Sequence, residues 1–125
     1  MKEIISTNQA PVAAGPYSQG VLSNGILFIS GQLPLDPETG RFCTGSIAEQ
    51  TRQAMNNIGA ILKEAGMDWS NVVKTTIFLD LMLDFPTVNE VYGEFFENEP
   101  PARSCIEASN LPKGAPIEIE AIAMK

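Results

Sequence analysis

"SIAEQTRQAMNNIGAILKEAGMDWSNVVKTTIFL", residues 46–79, changes its period part-way along. In the first half Ile47, Thr51, Ala54, Met55, Ile58, Ile61, Leu62 and Ala65 recur at intervals of three and four, which gathers them on one side of a helix. Ser46 followed three positions later by Glu49 fits a capping box, and Gly66 suits a helix stop. From Asn71 the pattern changes: "NVVKTTIFL" is rich in β-branched residues and reads as a strand. A helix with one apolar stripe that feeds a strand needs a sheet to pack on, so the rest of the chain should supply one.

It does so on both sides. Downstream, Asp84 is placed to cap a second helix with Pro86 tolerated in the first turn. Phe85, Val88, Tyr92, Phe95 and Phe96 form that helix's apolar stripe, and Glu99-Pro100-Pro101 ends it. Two further strands follow, near 102–108 and Ile117–Met124. Upstream, "VLSNGILFISG" (21–31) holds two apolar runs joined by Asn24-Gly25, a pair that readily takes the positive φ values of a hairpin turn. Residues 4–6 make a short edge strand, and "LDPETGRF" (35–42) is a turn. The order predicts one α+β domain over 1–125: a mixed sheet with at least one parallel crossover and two helices on one face. The other face would carry Phe78, Ile122 and Met124 among charged residues. A half-apolar open face predicts contact with further copies of the chain, in a cyclic homo-oligomer.

Composition narrows the chemistry. The chain of 125 residues is 44% hydrophobic and 18% charged, which argues against disorder. A net charge of −7 opposes binding to phosphate backbones and to anionic membranes, so neither nucleic acid nor membrane is expected as a partner. No apolar run approaches membrane-spanning length, and the first residues do not read as a signal peptide, so the expected location is cytoplasmic. The two cysteines, Cys43 and Cys105, have no metal-ligand spacing and are expected to be free thiols. There is no histidine, which removes the commonest general base and zinc ligand together. Carboxylates, arginine, tyrosine, a thiol, backbone groups and water remain.

Alternation along the last two strands singles out an arginine and two glutamates. Arg103, Cys105 and Glu107 share one side of their strand; Glu118, Glu120, Ile122 and Met124 share one side of theirs. If the two strands are near neighbours, Arg103 and a glutamate reach one cleft. A guanidinium there either pairs with a glutamate to fix sheet register or a subunit contact, or it grips the carboxylate of a bound acid.

"AAGPYSQG" (13–20), "FISGQLPLDPETG" (28–40), "VVKTTIFL" (72–79) and above all "PPARSCIEASNLPKGAPIEIEAIA" (100–123) resemble the RidA/YjgF family, the reactive intermediate deaminases, also known as L-PSP endoribonucleases or translation inhibitors. The resemblance runs through almost the whole chain in order. It implies a chorismate-mutase-like fold, a homotrimer, and three equivalent sites between adjacent subunits. It implies hydrolysis of 2-imino acids, 2-iminopropanoate and 2-iminobutanoate, to 2-keto acids and ammonia, a metabolite damage-control role that needs neither metal nor organic cofactor. By matching motifs it makes Arg103 the carboxylate-binding residue and Glu118 the water-orienting one, with Tyr17, Ser30, Gly31, Asn89 and Cys105 lining the site. Glu120 points to the same side as Glu118 and is its rival; only the family register separates them. Two other functions stay open: an endoribonuclease that lowers translation, and a non-catalytic regulator that binds small carboxylates.

Overall fold

A computed structural model describes residues 1–125. The elements are β1 (Lys2–Ile5), β2 (Gly20–Ser23), β3 (Ile26–Gln32), α1 (Ile47–Glu64), β4 (Val72–Leu79), α2 (Phe85–Gly93), β5 (Ala102–Glu107) and β6 (Ile117–Met124). They form a single α+β domain whose six strands lie in the order β1-β2-β3-β6-β4-β5. Strands β4 and β5 run parallel, joined by α2 as the crossover; every other pairing is antiparallel.

The hairpin between β2 and β3 turns on Asn24 (φ 52°) and Gly25 (φ 77°), the two left-handed residues that the Asn-Gly pair was expected to provide. Helix α1 starts where the sequence placed it: the Ser46 hydroxyl accepts a hydrogen bond from Glu49 N at 3.3 Å. Its apolar stripe, from Thr51 through Leu62, is buried against the sheet, with Ile77, Leu79, Ile117, Ile119, Ala121, Ala123, Leu27 and Ile29 opposite. Alternate residues of every central strand therefore meet the helices, and the residues between them face the other way.

Three local expectations change. Strand β1 covers Lys2–Ile5 rather than 4–6, because its ladder with β2 starts at Lys2↔Ser23. Asp84 stands before α2 but its side chain makes no capping bond; a 3₁₀ turn over Met82–Asp84 already carries the chain into the helix. Phe95 and Phe96 lie beyond the end of α2 at Gly93. They still serve the core, packing edge-on against Trp69 with ring centroids 5.2 and 5.3 Å away. Trp69 in turn lies over Gly59 of α1, where a Cβ would stand 3.3 Å from the indole.

The face away from the helices is uncovered. Phe28 and Met124 are roughly half exposed on it, and Ile106 on β5 equally so. Strand β5 is a sheet edge on which Cys105 alone is partly buried.

Candidate functional site

The parallel register places Thr75 of β4 beside Arg103 of β5, and Thr75 is buried on the helix side, where its hydroxyl and that of Tyr92 lie 2.6 Å apart. Arg103 therefore projects toward α2. Its guanidinium carbon stands 5.0 Å from the Tyr92 ring centroid and 5.4 Å from that of Phe85, within cation–π range of both. Asn89, one turn from each aromatic on α2, accepts a hydrogen bond from Arg103 Nη1 at 2.7 Å. No carboxylate of the chain pairs with this arginine; the one ion pair present joins Arg52 to Glu94. The guanidinium is thus oriented by two aromatic faces and a neutral amide, and its positive charge is left for something else to meet. Cys105, two residues along the same side of β5, is partly buried; burial pushes its thiol pKa up and the charge of Arg103 pulls it only partly back. That favours a neutral lining thiol over a nucleophile.

The second group of predicted residues meets elsewhere. Tyr17, Ser30, Gly31, Glu118 and Glu120 line one cavity of about 500 Å³, with Lys113 as its one cation. Its floor is the seam between β3 and β6, where the ladder shifts register between Ile29 and Gln32. This bulge frees Ser30 and Gly31 from regular pairing. Ser30 N donates to Gln19 O at 2.9 Å, and its hydroxyl donates to Ser18 O at 2.6 Å, so the bulge is tied to the segment that carries Tyr17. Gly31 is required by close approach: a Cβ there would stand 2.7 Å from Glu118 Cδ. The Glu118 carboxyl lies in the space that a side chain at position 31 would fill. It is half-buried, with no hydrogen-bond or ion-pair partner in the chain, and its pKa is raised, first by burial and second by the charge of Glu120.

Glu118 pairs in register with Phe78, on the uncovered side of the sheet, whereas Arg103 is on the helix side. Strand β4 lies between β5 and β6. The condition that the two strands be near neighbours fails, and Arg103 and Glu118 of one chain do not share a cleft. One chain thus presents two separate clusters: Arg103, Asn89 and Cys105 at the β5 edge, and Tyr17, Ser30, Gly31 and Glu118 on the open face. A larger, more open groove of about 750 Å³ runs along the outer side of α1, past Lys63, Glu64 and Trp69; none of the predicted site residues lines it.

The family profile described as Endoribonuclease L-PSP matches residues 7–125. The chain belongs to the RidA/YjgF family. It is 50% identical over 125 residues to a 2-iminobutanoate/2-iminopropanoate deaminase of Bos taurus, covering 100% of this chain and 91% of that protein. It is 51% identical to a RutC family protein of Pyrococcus horikoshii, covering 100% and 99%. Among solved structures, Escherichia coli TdcF with bound serine superposes with a TM-score of 0.94 at 41% identity, covering 98% of each chain. The Rid family protein YyfA of Yersinia pestis superposes with a TM-score of 0.97 at 47% identity, covering all of both. These relatives establish the RidA/YjgF fold for this chain, and the deaminase name recurs among relatives that match it along its full length.

Four residues that support these two clusters were not singled out in the sequence as doing so. Phe85 and Tyr92 read as core stripe, yet they also form the surface under Arg103. Gln19 is buried; its Oε1 accepts from Thr7 N at 2.7 Å and its Nε2 donates to Thr7 O, Ala10 O and Pro11 O. That amide holds the 7–11 segment against the cavity wall. Asn57 is buried within α1 and its Nδ2 donates to Leu33 O and Leu35 O, fixing the loop that closes the cavity on the other side. Asn57 had a signal, an amide three residues from Ala54 and four from Ile61 on the buried stripe; Gln19 had none beyond its place in "GPYSQG".

Proposed function

We propose that this protein hydrolyses small 2-imino acids, such as 2-iminopropanoate and 2-iminobutanoate, to 2-keto acids and ammonia, at sites where the β5 edge of one copy meets the open face of the next in a ring, taken to be a trimer. The observation that carries this is the guanidinium of Arg103, on its aromatic seat and without an ion-pair partner, separated in one chain from a half-buried carboxyl, Glu118, in a cavity of its own. Neither half suffices alone, and a second copy supplies the missing one. The half-exposed apolar residues beside both halves are what such a contact would cover. The serine bound to TdcF supports a ligand with a carboxylate next to a nitrogen-bearing carbon.

The chemistry follows from those two groups. Arg103 grips the substrate carboxylate as a fork and fixes the C=N carbon above Glu118. Protonated Glu118 gives its proton to the imine nitrogen. Water then attacks the carbon; Glu118 takes a proton from it and the C–O bond forms, giving a carbinolamine. Glu118 returns that proton to nitrogen, the C–N bond breaks, and ammonia leaves. The remaining hydroxyl proton passes to Glu118 as the carbonyl forms. One imine and one water become one keto acid and one ammonia, and Glu118 ends protonated as it began. Burial, and after it the charge of Glu120, raise the Glu118 pKa, the direction that favours a carboxyl able to give and retake a proton.

The ribonuclease named in the family description is disfavoured by the charge of this chain: the cavity holds two carboxylates against one lysine. The test generates 2-iminopropanoate in place with a serine dehydratase and follows pyruvate release. Arg103→Ala should lose about 30-fold, the equivalent of about 2 kcal/mol for a charged hydrogen-bonded contact. Glu118→Gln should lose about 10²-fold or more. Equal rates with wild type, either variant or no added protein would reject the deaminase; carboxylate binding without turnover would make the protein a regulator.

A further inference from the structure

Glu118 does not stand alone on its face. Glu120 is the next residue on the same side of β6, and both line the 500 Å³ cavity. Glu118 pairs with Phe78 and Glu120 with Thr76, so β4 sets no charge directly beside either. Lys74, the nearest cation of β4 on that face, lies one step further along, opposite Ile122. On the β3 side the neighbours are Ser30, Gly31 and Gln32, all uncharged, and the loop contributes the Tyr17 phenol. Lys113 lines the cavity but forms no ion pair with either carboxylate. Its backbone is held at φ 58°, in a turn closed by Gly114 N donating to Leu111 O at 3.0 Å. The Glu118 carboxyl lies beside Gly31 of β3, in space that the absent side chain leaves open.

We propose that Glu120 is a positioning residue that acts through Glu118: its charge, on the shared face of β6, disposes Glu118 to keep the proton that the leaving nitrogen requires. This deepens the deaminase reading and rests on it. Two like charges along one strand face disfavour simultaneous ionisation, and Glu118 is the more buried of the two. Burial and Glu120, in that order, are what raise the Glu118 pKa, and no cation offsets them there. The IEIE pair then divides its labour. Glu118 handles the proton, and Glu120, which touches no reacting atom, sets when it is held.

The experiment follows the Glu118 side-chain carboxyl by ¹³C NMR across pH in the whole protein, its resonance identified by its loss in Glu118→Gln. Wild type, Glu120→Gln and Glu120→Asp are compared, and the pH profile of imine hydrolysis is measured on the same samples. In Glu120→Gln the Glu118 midpoint should fall, and the decline of activity with rising pH should begin at lower pH. Glu120→Asp keeps the charge and should restore both. A Glu118 midpoint unmoved by Glu120→Gln overturns the proposal and leaves the deaminase standing. A midpoint that moves in a protein with no turnover at all overturns the deaminase reading, and the catalytic role of Glu120 with it. Lost activity at every pH without a displaced profile would mark Glu120 as merely structural.

Discussion

Mixing two inactive variants should regenerate activity. Arg103→Ala keeps an intact Glu118 half-site, and Glu118→Gln keeps an intact Arg103 half-site. Arg103 and Glu118 project from opposite faces of one sheet, so under the proposed function a complete site draws on two chains. In a closed ring with head-to-tail contacts, each site takes its arginine from one copy and its glutamate from the next. Random one-to-one assembly then pairs an intact arginine donor with an intact glutamate donor at about one quarter of the sites, whatever the ring size. The parents retain about 3% and 1% of wild-type rate by the losses estimated above, so a rise to roughly 25% stands well clear. Co-expression with two different tags, selection for both, and pyruvate release on 2-iminopropanoate make the assay; selection for both tags enriches mixed rings and moves the figure somewhat above one quarter. A companion mixture of wild type with the double variant discriminates further. It should give about one quarter of full activity if the site is shared between chains and about one half if it is not. Mixed rings no more active than the mean of their parents would refute the shared site, and with it the role given to the free guanidinium.

Three further outcomes follow. Gly31→Ala should fold, because the obstructed group is the flexible end of Glu118 rather than backbone, but it should lower imine hydrolysis by roughly tenfold or more as the carboxyl is displaced, with little change in Tm. Glu118→Gln should raise thermal stability at neutral pH. The folded-state pKa of Glu118 lies above its unfolded value, so ionising it opposes folding; the benefit of the amide is present at pH above the folded value and vanishes as pH falls below the ordinary carboxylate range, near 4.5, which thermal melts across pH 3 to 8 would read. Gln19→Ala should destabilise by about 2 kcal/mol, because it strands Thr7 N and removes the donor to three carbonyls; chemical denaturation measures this, and a loss under 0.5 kcal/mol would mean that water replaces the amide.

The parts of this fold that were legible are those written in short-range periodicity. Asn24-Gly25 gave the hairpin because few other pairs accept two positive φ values, and the stripe of α1 gave the helix and its buried face. Alternation assigned Glu118 and Glu120 correctly to the face away from the helices. Strand order was not legible. That β4 inserts between β5 and β6 depends on which ladders close over long sequence separations, and nothing within "ARSCIE" or "IEIEAIAM" records its neighbour. The same gap hid the separation of Arg103 from Glu118. Motif likeness named Tyr17, Ser30, Gly31, Asn89 and Cys105, and the structure places them in two separate clusters. Phe85 and Tyr92 escaped notice because an aromatic that seats a guanidinium and one that fills a core look alike in a helical stripe.

Strand β5 lies at the end of the sheet, and its outer row of backbone N–H and C=O groups meets no strand of its own chain. The edge placement that leaves Arg103 exposed also leaves an unguarded template for strand addition beside exposed Ile106. If copies assemble as proposed, a separated protomer is the vulnerable species: dilution, or any substitution that loosens contact between copies, should show itself first as aggregation and only later as unfolding.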